Sequence, residues 1–291
     1  MFSKILVATD LSAASYAVTQ CAAGFRSLGA KECILLQCLN LSEAASAAVA
    51  QQKGVLEKNL LDQKTILEKS GLKVHAEVIP GNAAVEINRI AREREVSLVV
   101  VGSHGHTLAG ELLLGGVANA VIHHAVKPVL VVRVERKPAT GEACVKGETC
   151  DFVRHVLFPT DFSDHADHAF LRVKHLVAAG AREVTLLHVQ DKTRIDPHLV
   201  HRLEEFNRLD RMRLAEMKEA LAKSGSAAIH DEICFGHPVQ EILRRIESKG
   251  ITLVVMGSQG RGFISEVFLG SVSHNIARRS PAPVLLVPAR R

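Results

Sequence analysis

Short apolar runs recur along the chain, each followed by a stretch in which apolar residues return every three or four positions. In the second half the runs fall near 155–160, 183–189, 228–234, 252–257 and 283–287. They are β-branched and continuous rather than alternating, the pattern of parallel strands buried on both faces. Between them, "HADHAFLRVKHLVAAG" closes on Gly180, a charged helical segment spans about 198–223, "PVQEILRRIESKG" closes on Gly250, and "GSVSHNIARRS" stops before Pro281. Five strand–helix units in succession predict a doubly wound α/β domain.

The first half repeats this plan. "KILVATDLS" matches "HVLFPTDFS" and sets Asp10 on Asp161, and Gly29 on Gly180, at an offset of 151. Later landmarks shift to 155, with His75 on His230, Gly102 on Gly257 and Pro128 on Pro283. The chain is therefore read as a duplication: a first domain at 1–137, a linker at 138–152 drawn from the Lys-, Glu-, Gly- and Pro-rich "VERKPATGEACVKGETCD", and a second domain at 153–291. A length of 291 residues suits two domains of about 145, each able to bury a core.

Composition narrows the function. With 47% apolar and 23% charged residues the chain reads as globular. The net charge of +5 is spread among acids, and aromatic residues make up only 4% with no Trp, so no nucleic-acid groove is expected. No apolar run reaches the roughly 18 residues that span a bilayer, and the N-terminus runs straight into a strand, so neither membrane nor export is expected and the cytoplasm is the expected location. Of the six cysteines, most lie in apolar segments and are expected to be reduced core thiols. Cys144 and Cys150 stand apart in the linker, as a disulfide, a redox pair or two exposed thiols.

The chemistry concentrates in "VVMGSQGRGFISEVFLGSVSHN", residues 254–275. It lies at a strand's carboxyl end, where ligands bind in such folds. Gly257 and Gly260 turn the chain tightly, and Gly270 and Ser271 open the last helix. Glycines let backbone N–H groups approach an anion, and a helix N-terminus offers unpaired donors. Ser271, with Ser273 behind it, adds hydroxyls. Asp161 at the end of the first strand suits a ribose hydroxyl or an adenine-side donor; alternatively Asp161, Ser163 or Asp164 caps the following helix. There is no GxxxxGK[ST] loop, so phosphate charge falls to amides, hydroxyls, a metal ion such as Mg²⁺, and Arg261.

The spacing Gly257-x2-Gly260-x9-Gly270-Ser271, with "PTDFS" after the first strand and "PAPVLLVP" as the last, resembles the universal stress protein family in its tandem two-domain form, over about 2–135 and 153–290. The resemblance implies two five-stranded sheets in the order 3-2-1-4-5, related by a pseudo-two-fold, with fifth strands paired between the copies as an intramolecular pseudo-dimer, or further as a homodimer. It implies an ATP site, or one for ADP or AMP, at Asp161, Val189, Gly257, Gly260, Gly270 and Ser271, with Pro159, Thr160, Ser258, Val272 and Ser273 flanking. The implied function is a nucleotide-binding stress-response regulator with a protein partner; a slow Mg²⁺-dependent ATP hydrolase or a scaffold with vestigial sites are the alternatives. No dedicated catalytic group is legible.

The copies differ. The first keeps Asp10, Gly102, Gly105 and Gly115, but Gly116 and Ala118 replace Ser271 and Ser273. Two hydroxyl donors worth about 1.5–3 kcal/mol each to a charged phosphate are lost, so the second copy is expected to hold the nucleotide. The histidines in "SHGH" (His104, His106) and at His123 and His124 lack a metal-ligand pattern and read as solvent- or anion-facing.

Overall fold

The structure, a computed structural model, describes residues 2–39, 47–104, 114–136, 142–145, 150–195, 200–260 and 269–289. Gly105, His106, Arg261 and most of the expected linker lie outside the described residues. The chain divides into two compact units, Met1–Asp151 and Phe152–Arg291.

In the first unit, strands β1 (Lys4–Thr9), β2 (Glu32–Leu39), β3 (Lys73–Pro80), β4 (Leu98–Gly102) and β5 (Val129–Val132) run parallel in the order β3-β2-β1-β4-β5. Helices α1 (Ala13–Thr19), α2 (Ala22–Ser27), α3 (Ala47–Lys69), α4 (Ala83–Glu93) and α5 (Gly116–His123) connect them. The order is that implied by the family resemblance. Residues Ile5–Val7, Leu98–Val101 and Val129–Val132 are buried without alternation, whereas on edge strand β3 only Val74 is buried.

The expected linker holds more structure than its composition suggests. Strands β6 (Val134–Arg136) and β7 (Ala143–Val145) pair antiparallel, and β7 packs on α1. This fold-back brings Cys150 to Cys21, and the two form a disulfide. The expectation of a reduced Cys21 is thereby corrected, and of the alternatives for Cys144 and Cys150 neither a mutual pair nor an exposed thiol holds for Cys150: Cys21 stands at the N-cap of α2, and Cys144 remains a free thiol on β7. Burial pushes the Cys33 thiol up to about 12 and those of Cys38 and Cys234 up to about 11.

The second unit repeats the plan with β8 (His155–Thr160), β9 (Glu183–Asp191), β10 (Ala228–Gly236), β11 (Leu253–Gly257) and β12 (Val284–Val287), in the order β10-β9-β8-β11-β12. Its helices are α6 (Asp164–Ala178), α7 (Lys192–Ile195), α8 (Leu203–Ala222), α9 (Pro238–Ser248) and α10 (Ser271–Arg279). The segment expected as one helix at 198–223 is a 3₁₀ turn, Val200–Arg202, followed by α8. Phe158 of β8 and Phe170 of α6 meet at 5.6 Å between ring centroids and seat α6 on the sheet. Burial of each such ring contributes about 1.5–3 kcal/mol. Pro at the first turn of α9 needs no N–H donor there, and Ile242 and Ile246 form its buried stripe.

Candidate functional site

In the second unit β8 leaves the sheet through a turn built from its own side chains. The Thr160 hydroxyl accepts from the Phe162 N–H at 3.0 Å, and Asp161 Oδ1 accepts from the Ser163 N–H and hydroxyl at 3.2 and 2.6 Å. The Ser163 hydroxyl in turn accepts from the Ala166 N–H, so Ser163 is the N-cap of α6 and Asp161 braces it. The turn forces Phe162 to a φ of 56°, a conformation that costs a residue with a Cβ about 1–2 kcal/mol. It aims the Asp161 carboxylate at the loop beyond β11, and a Cβ added to Gly260 would lie 2.6 Å from Asp161 Oδ2. Glycine permits this approach without displacing the carboxylate.

The loop closes on α10. The Gly270 N–H donates to the Ser258 carbonyl at 2.7 Å, and the Ser258 N–H donates to the Val287 carbonyl at 2.8 Å. Gly270 is the N-cap residue, and the helix starts at Ser271 with first-turn amides that have no intrahelical acceptor. Ser273 is buried and its hydroxyl donates to the Gly257 carbonyl at 2.8 Å, so it braces the loop from behind. Ser271 is the hydroxyl of the pair that faces outward.

These elements line one cleft of about 510 Å³. Pro159, Thr160, Asp161, Val189, Gly257, Gly260, Gly270, Ser271, Val272 and Ser273 all contribute to its wall. Ser258 does not, and acts through its backbone. Pairing between β8 and β9 ends at Thr160 opposite His188, so the Val189 backbone has no strand partner on the β8 side among the described residues. Among these residues, too, no cluster of three His, Cys, Asp or Glu side chains forms a metal site, and no helix is long and apolar enough to cross a membrane.

Sequence reasoning missed one wall of this cleft. Phe206, Leu209, Asp210 and Arg213 line it from α8, joined by Ile195, His188 and Gln190. Their spacing of three and four marks one helix face, and an aspartate between apolar neighbours on that face was the signal available. Asp210 and His188 are each 8% exposed and Gln190 is 4% exposed. Asp210 Oδ2 accepts from Gln190 Nε2 at 2.9 Å and lies 3.4 Å from His188 Nε2, while His188 Nδ1 donates to the Thr160 carbonyl at 2.8 Å. The His188 ring meets Phe162 at a tilt with centroids 4.5 Å apart, and Arg213 lies over the Phe162 ring at 5.2 Å.

The first unit keeps the backbone device. Asp10 Oδ1 accepts from the Ser12 hydroxyl at 2.6 Å, Leu11 has a φ of 59°, and the Gly115 N–H donates to the Ser103 carbonyl at 2.7 Å. Its side chains are different. Gln63, 1% exposed, bonds the Thr9 hydroxyl at 2.8 Å, and Thr9 and Ser15 share a further hydrogen bond at 3.0 Å. Thr9 and Ser15 stand where the second unit has Thr160 and Ala166, both lining its cleft. Ser103 is fully buried and its hydroxyl accepts from the Val134 N–H of β6.

The model of the universal stress protein family matches residues 1–133 and again 153–288. A universal stress protein of Methanocaldococcus jannaschii is 33% identical over 153 residues, 46% of this chain and 94% of its own. One from Mycobacterium tuberculosis is 27% identical over 260 residues, 83% of this chain and 74% of its own. Among solved structures, a universal stress protein from Archaeoglobus fulgidus is similar over 99% of both chains, with a TM-score of 0.74 at 25% identity. With a tandem of sheets in the family's strand order and a family match to each half, this chain belongs to the universal stress protein family.

Proposed function

We propose that the second half binds an adenine nucleotide, ATP or its di- or monophosphate, and that the chain is a nucleotide-binding regulatory protein of the cytoplasm. The cleft supports this reading more than any other single observation: ten residues expected from sequence to hold a nucleotide share its wall, and its volume lies in the range of small-molecule sites. In this reading the phosphates sit at the N-terminus of α10, held by first-turn amides and the Ser271 hydroxyl, and Asp161 takes a ribose hydroxyl. Gly257, Gly260 and Gly270 admit the ligand, and Ser273 holds the loop in shape.

Phosphate-bound Mg²⁺ fits the donor set only loosely. Among the described residues Asp161 reaches Gly260, and one of its oxygens is committed to Ser163, so most ligands would be water and phosphate oxygens. When bound, the ion neutralises phosphate charge; the amides of α10 orient the phosphates in either case. Nucleotide occupancy would act on Gly257–Gly260 and the N-terminus of α10, and a regulatory protein partner would read that surface. The test is mass spectrometry of small molecules released from natively purified protein, with calorimetric titration of ATP. Release of an adenine nucleotide and binding in the micromolar range are expected. A chain that carries no nucleotide and binds none at millimolar concentration would overturn the reading.

A further inference from the structure

The cleft has two chemically distinct ends. On one side of Asp161 lie Gly257, Gly260 and the N-terminus of α10; on the other lie the end of β9 and the inner face of α8. Strand β8 separates β9 from β11, so the two ends are two strand spacings apart, about 10 Å, the span from a nucleoside's phosphate to its base. The far end is an apolar slot between Leu187, Ile195, Phe206 and Leu209, suited to a flat ring.

Two buried acceptors interrupt that slot. A carboxylate only accepts, so the Gln190 amide must present its NH₂ group to Asp210 and turn its carbonyl oxygen away. Both contacts to Asp210 use Oδ2, and Oδ1 has no hydrogen-bond partner among the described residues. The Asp210 side chain is 11% exposed and lines the cleft, so Oδ1 is left to the cleft's solvent, and a ligand that displaces that water must donate a hydrogen bond in return. Gln190 holds the carboxylate in place, and His188, fixed through Nδ1 by the Thr160 carbonyl, lies beside it.

We infer that Asp210, oriented by Gln190, is a specificity-determining residue that accepts a hydrogen bond from the exocyclic amine of a 6-aminopurine and rejects 6-oxopurines. The inference rests on the nucleotide reading of the same cleft. A 6-oxo group would set its lone pairs against Asp210 Oδ1, and a purine without a substituent at C6 would leave that oxygen dry and unpaired. In the first half Gln37 and Leu39 occupy the positions of His188 and Gln190, so the side chains beside Asp210 are not repeated there.

Calorimetric titration of the full chain with ATP, inosine triphosphate and purine riboside triphosphate tests this directly. ATP should bind at least about tenfold more tightly than either analogue, the scale of one unmade bond to a charged acceptor. Asp210→Asn, whose amide can donate to a 6-oxo group, should shift the ATP-to-inosine ratio by at least about tenfold toward inosine triphosphate, with circular dichroism and thermal melting establishing that the variant folds. Wild-type affinities for ATP and inosine triphosphate within about twofold would overturn the inference while leaving the nucleotide site intact. So would a folded Asp210→Asn that weakens all three ligands equally. A wild type that binds none of the three would overturn the nucleotide reading and this inference with it.

Discussion

The two halves share a backbone and differ in what stands behind it. Asp10 and Asp161 both accept a serine hydroxyl at 2.6 Å, Leu11 and Phe162 both take a left-handed φ, and Gly115 and Gly270 both donate to a serine carbonyl at 2.7 Å. Yet Gln63 and Ser15 join Thr9 in a buried network in one half, whereas Ala166 and Thr160 line an open cleft in the other. Strand ends, turn and helix start are dictated by the fold and survive duplication. Binding chemistry rests on a few side chains that packing does not need, so those are free to diverge.

The largest effect is expected from Gly270→Asp. A Cβ there meets its nearest neighbours at ordinary distances of 3.4 Å and more, so the chain should fold, but the new carboxylate would cap α10 in the phosphates' place. ATP affinity should fall at least about a hundredfold, whereas Gly115→Asp should leave titration of the full chain unchanged. Next is Cys21→Ser. Removing a bridge that closes a long loop should cost about 2–4 kcal/mol, seen in urea melts as a loss confined to the first half; unchanged melts with and without reductant would remove the disulfide from the account.

Gln63→Ala should cost about 1–3 kcal/mol by leaving Thr9 and Ser15 short of a partner. Combined with Gly116→Ser, for which the structure has open space, it should add weak nucleotide binding to the first half; absence of any gain would show that more than Gln63 and the missing hydroxyl separates the copies. Ser271→Ala should weaken ATP by about tenfold, and Ser273→Ala by less, costing instead about 1 kcal/mol of stability through Gly257. The smallest effect concerns one thiol in each half. Because burial raises Cys38 and Cys234 to about 11, little thiolate exists at pH 8, and alkylation of both should be slow there and rise with pH toward that value.

The sequence made the strands legible because buried parallel strands are continuous apolar runs that nothing else on the chain imitates. The motif glycines and Asp161 were legible because their spacing reports a turn that backbone geometry requires. The inner face of α8 was not. Asp210 sits among Glu204, Glu205, Arg208 and Arg211 and reads as one more solvated charge; only the tertiary position of the helix buries it. Gln63 hides in the same way on α3. The bond between Cys21 and Cys150 depends on the chain folding back through β6 and β7, which a Lys- and Gly-rich composition does not announce.

The asymmetry of the halves is tested most directly by the stoichiometry of ATP binding to the intact chain in calorimetric titration. One tight site per chain is expected, with any second site weaker by at least about tenfold. Two equal, tight sites per chain would contradict the account.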